Sequence, residues 1–152
     1  MSLEKNKAII RRLIEVENKK DLSLLDEFIA PDYVDPILQI QDREGYKQLD
    51  TNVFNAFPDW HTTIEDIIAE GDKVWVHFKS TGTHTGEYSG NLPLIGKITL
   101  APTGNKITLH YIIIWRIADG KIVEKDSAVY DLLDFYKQLG VIEYKGFPDE
   151  VK

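Results

Sequence analysis

The feature that most narrows the fold is a change in hydrophobic period about a third of the way along the chain. Ile9, Ile10, Leu13 and Ile14 recur at helical spacing between about residues 4 and 18. Asp21 is placed to cap a second short helix carrying Leu22, Leu25, Phe28 and Ile29, which Pro31 stops. The stretch from Asp32 to Asp42 reads as irregular because Pro36 interrupts any pattern. Tyr46, Leu49, Val53, Phe54 and Phe57 then mark one side of a third helix over about 43–57, ended by Pro58. Beyond this point the period falls to that of strands. Segments 61–70 and 73–84 meet at Glu70-Gly71-Asp72, and segments 105–117 and 121–130 meet at Ala118-Asp119-Gly120, both hairpin signals. The Gly- and Pro-rich stretch 86–104 reads as a long loop with a short strand at 97–101, and a last helix covers about 131–139, stopped by Gly140. Helices followed by antiparallel strands predict an α+β fold in one domain of 152 residues, a curved sheet wrapped around helices.

Composition excludes several functions. The net charge of −7, with scattered Lys and Arg, disfavours nucleic acid and anionic membranes as partners. With no cysteine, disulfides and thiolate metal sites are impossible. Tyr111–Trp115 is the longest apolar run, far too short to span a bilayer, and the first residues lack a signal-peptide core; a cytoplasmic protein is expected. His61, His77, His84 and His110 are dispersed and do not predict a metal site.

Three ordered stretches carry a likeness. They are Phe57-Pro58-Asp59-Trp60 followed by Ile64–Val74, then Gly82-Thr83-His84-Thr85-Gly86-Glu87, then Trp115–Glu124 with a Leu139-Gly140 ending. Together they resemble the SnoaL-like polyketide cyclase (ester cyclase) family of the nuclear-transport-factor-2-like superfamily, from about Asn6 to Val141. The resemblance implies a cone-shaped α+β barrel with an internal pocket, a homodimer, and ring closure by intramolecular aldol chemistry without metal or organic cofactor. It implies a pocket acid after the Asp-Gly-Lys-Ile-Val signature, which selects Glu124, and an assisting histidine one hairpin upstream, which selects His110.

The hairpin register decides whether these two residues can meet. A two-residue Asp119-Gly120 turn pairs Trp115 with Glu124 and sends His110 to the opposite face. A three-residue turn with a glycine bulge pairs Ile114 with Glu124 and Ile112 with Asp126, and it gathers His110, Ile112, Ile114, Ile122, Glu124 and Asp126 on one face. The second register gives the apolar wall with few polar groups typical of a ligand pocket and is the expected one, with Asp126 as the rival acid. Tyr33, Trp60, His84 and Asn52 are the candidate substrate contacts, for a small apolar or aromatic molecule. Each has an ordinary structural use as well: loop anchoring, core packing, a turn bond or a helix surface. Two other functions stay open, a non-catalytic binder of small apolar molecules and a module that associates through the sheet.

Overall fold

A computed structural model describes residues 2–143 and 145. Helix α1 spans Leu3–Asn18, its N-terminus capped by Ser2, whose Oγ accepts from the Lys5 amide at 3.1 Å. Its Ile10, Leu13 and Ile14 are buried, as the helical spacing requires. A 3-10 helix, Leu22–Glu27, leads into β1, Ile29–Val34. Helix α2, Arg43–Ala56, is capped by Asp42, which accepts from the Gly45 amide at 2.8 Å. Strands β2 (His61–Glu70), β3 (Lys73–Thr83), β4 (Tyr88–Leu92), β5 (Gly96–Leu100), β6 (Lys106–Ala118) and β7 (Lys121–Tyr130) follow, and α3 covers Leu132–Gln138.

Five strands form one curved sheet in the order β1-β7-β6-β3-β2; it is not closed, and β4 and β5 form a separate hairpin. All neighbours are antiparallel except β1 and β7, which run parallel. The sheet's inner face, with Val74, Val76, Phe78, Ile113, Trp115 and Ile117, packs against α1, the 3-10 helix and α2. A second buried cluster joins Phe57, Tyr88, Leu109, Phe135 and Tyr136 where α2, the β4–β5 hairpin and α3 meet. The architecture is thus the α+β fold that the helix-then-strand pattern predicts.

Three details differ from the sequence reading. Residues 29–34, expected to end a helix and begin a loop, form β1. Pro31 is tolerated because β1 is an edge strand and leaves one side unpaired. The stretch 86–104 contains a full hairpin; β4 was hidden because Tyr88-Ser89-Gly90-Asn91-Leu92 shows no alternation. The third is the β6–β7 turn. Ala118 pairs with Lys121, so the turn has two residues, and Asp119 (φ 52°) and Gly120 (φ 76°) both lie in the left-handed region of a primed hairpin turn.

Candidate active site

The β7 strand does not keep simple alternation after that turn. Ile117 pairs with Ile122 and Arg116 with Glu124, leaving Val123 as a bulge; Trp115 pairs with Lys125 and Ile114 with Ser127, leaving Asp126 as another. Each bulge shifts the parity of the side chains. Ile122 and Lys125 therefore both point inward, although they are three residues apart, and Glu124 points outward beside Arg116.

Inward, the sheet and helices enclose a cavity of about 150 Å³. Phe54, Phe57, Trp60, Phe78, Trp115 and Phe135 supply aromatic walls, and Tyr88, Leu92, Pro93 and Leu100 bring the β4–β5 hairpin over it. Its polar lining includes Glu17 from the end of α1, Tyr46 and Asp50 from α2, and Tyr111, Lys125 and Tyr130 from β6 and β7.

Two carboxyl groups meet in this apolar space. Tyr46 donates to Glu17 Oε1 at 2.5 Å, and the Asp50 carboxyl lies close enough to Glu17 for each to perturb the other. The buried Asp50 Oδ2 has no hydrogen-bond partner among the described residues. Burial drives the Glu17 carboxyl up to about 7, against the opposing pull of Tyr46, of Asp50 and of the Lys125 charge. Asp50 is also held well above the carboxylate range, first by burial and then by its neighbour's charge. Both side chains face the cavity while protein encloses them, so they remain accessible to a small molecule yet poorly hydrated.

Lys125 is the counterpart. It is 3% exposed, pairs with Asp35 Oδ2 at 2.7 Å and donates to Tyr130 Oη at 3.0 Å. Burial alone would lower its pKa; Tyr130, Tyr33 and Asp35 more than offset this, so it stays protonated. Asp35 in turn accepts from the Ile37 and Leu38 amides at 2.9 and 3.1 Å. The ammonium has three N–H donors and these partners take two. A hydroxyl ladder lies further along the wall: Thr62 Oγ1, Ser80 Oγ and Tyr111 Oη are linked at 2.7 and 2.8 Å, and Tyr111 stacks on Tyr130.

The sequence-selected residues are dispersed. Glu124 and His110 both lie on the outer face of the sheet. Glu124 is ion-paired with Arg116 at 3.5 Å, while His110 is exposed and paired in register with Lys79. Arg116 and His110 are six residues apart on β6, roughly 20 Å along a strand, so the expected dyad is not assembled. Asp126 sits in the second bulge and pairs with Lys73 at 3.1 Å. Tyr33 is no loop residue: it lies in β1, fully buried, where its hydroxyl accepts from Trp115 Nε1 at 3.4 Å. Asn52 accepts from Gln48 at 2.8 Å and lines a shallow groove outside the cavity. Trp60 does line the cavity.

His84 is fully buried but lies apart from the cavity; Nδ1 meets Thr103 Oγ1 at 3.1 Å and the ring packs at a tilt against Phe57. Its surrounding motif is a brace. Asp59 accepts from the Thr83 amide and hydroxyl at 2.7 and 2.8 Å, and the Thr85 and Gly86 amides donate to the Ala56 carbonyl. A Cβ at Gly86 would lie 1.9 Å from the Asn55 carbonyl oxygen, so only glycine fits. Among the described residues, no group of three or more His, Asp or Glu side chains is placed to hold a metal ion.

The fold, the motifs and the lined cavity agree with a family profile described as SnoaL-like polyketide cyclase, which matches residues 7–139. The chain belongs to the SnoaL-like polyketide cyclase family. Solved structures share its fold. AclR from Streptomyces galilaeus, provisionally called a hydroxylase, is 27% identical with a TM-score of 0.77, covering 99% of this chain and 93% of its own. IdmH from Streptomyces antibioticus, provisionally called a polyketide cyclase, is 30% identical with a TM-score of 0.69, covering 89% of this chain and 98% of its own. TsrD from Streptomyces laurentii has a TM-score of 0.78 at 22% identity, covering 93% and 99%, a likeness of fold. A comparison with curated proteins gave no significant match. Among the described residues, no helix is long and apolar enough to cross a membrane.

Glu17, Asp50 and Lys125 were not selected from the sequence, although signals existed. Glu17 continues the Ile10–Leu13–Ile14 stripe, and Asp50 follows Tyr46 and precedes Val53 at helical spacing. A carboxylate on the apolar stripe of a helix is a sign of a buried acid. Lys125 carried no such sign, since strict alternation points it outward.

Proposed function

We propose that this SnoaL-like protein is a cofactor-free acid/base enzyme acting on a small apolar carbonyl compound, with Glu17 as base, Asp50 as acid and Lys125 as the oxygen-binding cation. The observation that carries this reading is the pair of buried carboxyls, Glu17 and Asp50, lining an apolar cavity. A base with a pKa of about 7 is partly ionised at neutral pH and still strong enough to accept a carbon-bound proton. Glu17 removes a proton next to the carbonyl, and the C–H electrons move onto the carbonyl oxygen, which the third Lys125 N–H stabilises. The enolate carbon attacks a second carbonyl of the same molecule and forms the ring C–C bond. The new alkoxide takes the Asp50 proton, and the proton on Glu17 restores the pair. No atom or electron is left over, so the reaction is an isomerisation. Tyr111 and Tyr130 orient the ring against the wall.

Exchange of carbonyl-adjacent protons in D2O, followed by NMR on a panel of small ketones, tests this proposal. The wild type should accelerate exchange, and Glu17→Gln should lose at least about a hundredfold. Undiminished exchange in that variant removes Glu17 from the mechanism. The apolar walls also suit the alternative, a non-catalytic binder of small apolar molecules, for which ketones would bind without exchange in the wild type.

We also propose a homodimer formed through the outer sheet face, where Ile68, Trp75, Ile112 and Val129 are exposed on adjacent strands. Trp75→Glu should then convert a dimer into a monomer in sedimentation; a monomeric wild type ends the idea.

A further inference from the structure

The geometry points to one neutral six-membered ring bearing a keto or phenolic oxygen as the ligand of this cavity, in place of a fused polycyclic compound. This narrows the substrate of the acid/base reading and rests on it. Size comes first. The cavity holds about 150 Å³. An apolar cavity of about that volume accepts a single benzene. Shape comes second: the walls formed by Phe54, Phe57, Trp60 and Phe78 are ring faces and edges, which pack best on a flat partner.

Charge comes third and decides the oxygen chemistry. Lys125 is paired with Asp35 at 2.7 Å, and it lines the same cavity as the Glu17 and Asp50 carboxyls. A carboxylate or phosphate ligand would bring a negative charge into a poorly hydrated site whose one cation is already paired with Asp35. A neutral oxygen brings no such charge. It can accept the free Lys125 N–H and the Asp50 proton together, and the rest of the ring needs no polar partner. Enlargement is opposed at the mouth. The β4–β5 hairpin is tied down by Tyr136 Oη donating to the Pro93 carbonyl and by Asn91 Nδ2 donating to the Leu38 carbonyl at 3.2 Å. A ligand large enough to displace the hairpin would have to break these bonds.

The protein carries its own reporters for a test. Trp60 and Trp115 line the cavity, and Trp75 lies on the outer face as an internal control. Titrations with phenol, cyclohex-2-enone, benzoate and a tetrahydrophenanthrenone, read on the indole N–H signals in 1H–15N spectra, should separate the classes. Phenol and cyclohexenone should shift Trp60 and Trp115 saturably and leave Trp75 unmoved, with benzoate at least tenfold weaker and the three-ring ketone giving no saturable shift. Benzoate equal to phenol, saturable binding of the three-ring ketone, or no cavity shift with either small ring overturns the inference. Proton exchange keeps the two ideas apart. A three-ring ketone that exchanges in a Glu17-dependent manner sinks the size argument and spares the acid/base reading. Cyclohexenone that binds but never exchanges does the reverse.

Discussion

Replacing Glu17 by Gln should stabilise this protein, by an amount that grows with pH. The folded state raises the Glu17 carboxyl from its ordinary 4.5 to about 7, chiefly by burial. Between those two values the folded chain holds a proton that the unfolded chain has released. Stability from this group is therefore fully present below about pH 4.5 and is lost as pH rises through about 7. The interval corresponds to about 3 kcal/mol, at roughly 1.4 kcal/mol per pH unit. A glutamine accepts the Tyr46 hydroxyl, offers an N–H to Asp50 and has no charge to desolvate. Urea unfolding of both proteins at pH 4.5, 6 and 8 is the assay. The curves should nearly coincide at pH 4.5. At pH 8 the variant should be more stable by about 3 kcal/mol, which moves the midpoint by about 1.5 M for a urea m-value near 2 kcal/mol/M. A difference that stays constant with pH, or a variant that is less stable at pH 8, would refute the claim that Glu17 ionises inside an unfavourable, poorly hydrated site.

Four other outcomes follow from the same geometry. Lys125→Met should cost about 3–5 kcal/mol in urea unfolding, because it strands buried Asp35 without its ion partner; a loss below about 1 kcal/mol would refute the claim that this pair is held as a buried ion pair. Glu124→Gln and His110→Ala should each leave ketone proton exchange within about twofold and stability within about 1 kcal/mol, since both side chains lie on the outer face; a large loss of exchange in either would return the dyad to the mechanism. Gly86→Ala should destabilise by more than about 2 kcal/mol, as the added methyl meets the Asn55 carbonyl; a thermal midpoint equal to wild type would disprove that contact. Burial lowers the His84 pKa below its ordinary 6.5, so its contribution is present above that value and lost as pH falls through the folded-state pKa. His84→Gln should flatten the acid limb of the stability profile, and an unchanged limb would rule His84 out as its cause.

Much of the fold was legible because hydrophobic period and turn chemistry are local properties. The helices α1 and α2 and the strands β2, β3, β6 and β7 lie close to their expected bounds, and the three ordered motifs led to the right family. What escaped depended on tertiary context. Nothing local reveals that residues 29–34 add to the edge of β7 as a parallel strand, or that Tyr88–Leu92 pairs with Gly96–Leu100 over a cavity. Some motif residues that advertised the family, such as Gly82–Gly86 and Asp59, hold the end of α2 to β3 and carry no visible chemistry. The candidate site was missed for a sharper reason. Its acids come from two helices distant in sequence, and its cation comes from a strand whose parity the bulge at Val123 alters.

That bulge has a consequence for how such sites diversify. A strand with an even count presents every second residue to the interior, and a single insertion changes the frame in which the remainder is displayed. In Ile122-Val123-Glu124-Lys125, the extra residue exchanges an inward carboxylate for an inward ammonium, and neither side chain has to mutate. The sign of the charge offered to a ligand is thus set here by counting rather than by chemistry. Aligned positions in two relatives with different bulges would face opposite solvents, and the acid of one cavity would correspond in sequence to a surface residue of the other.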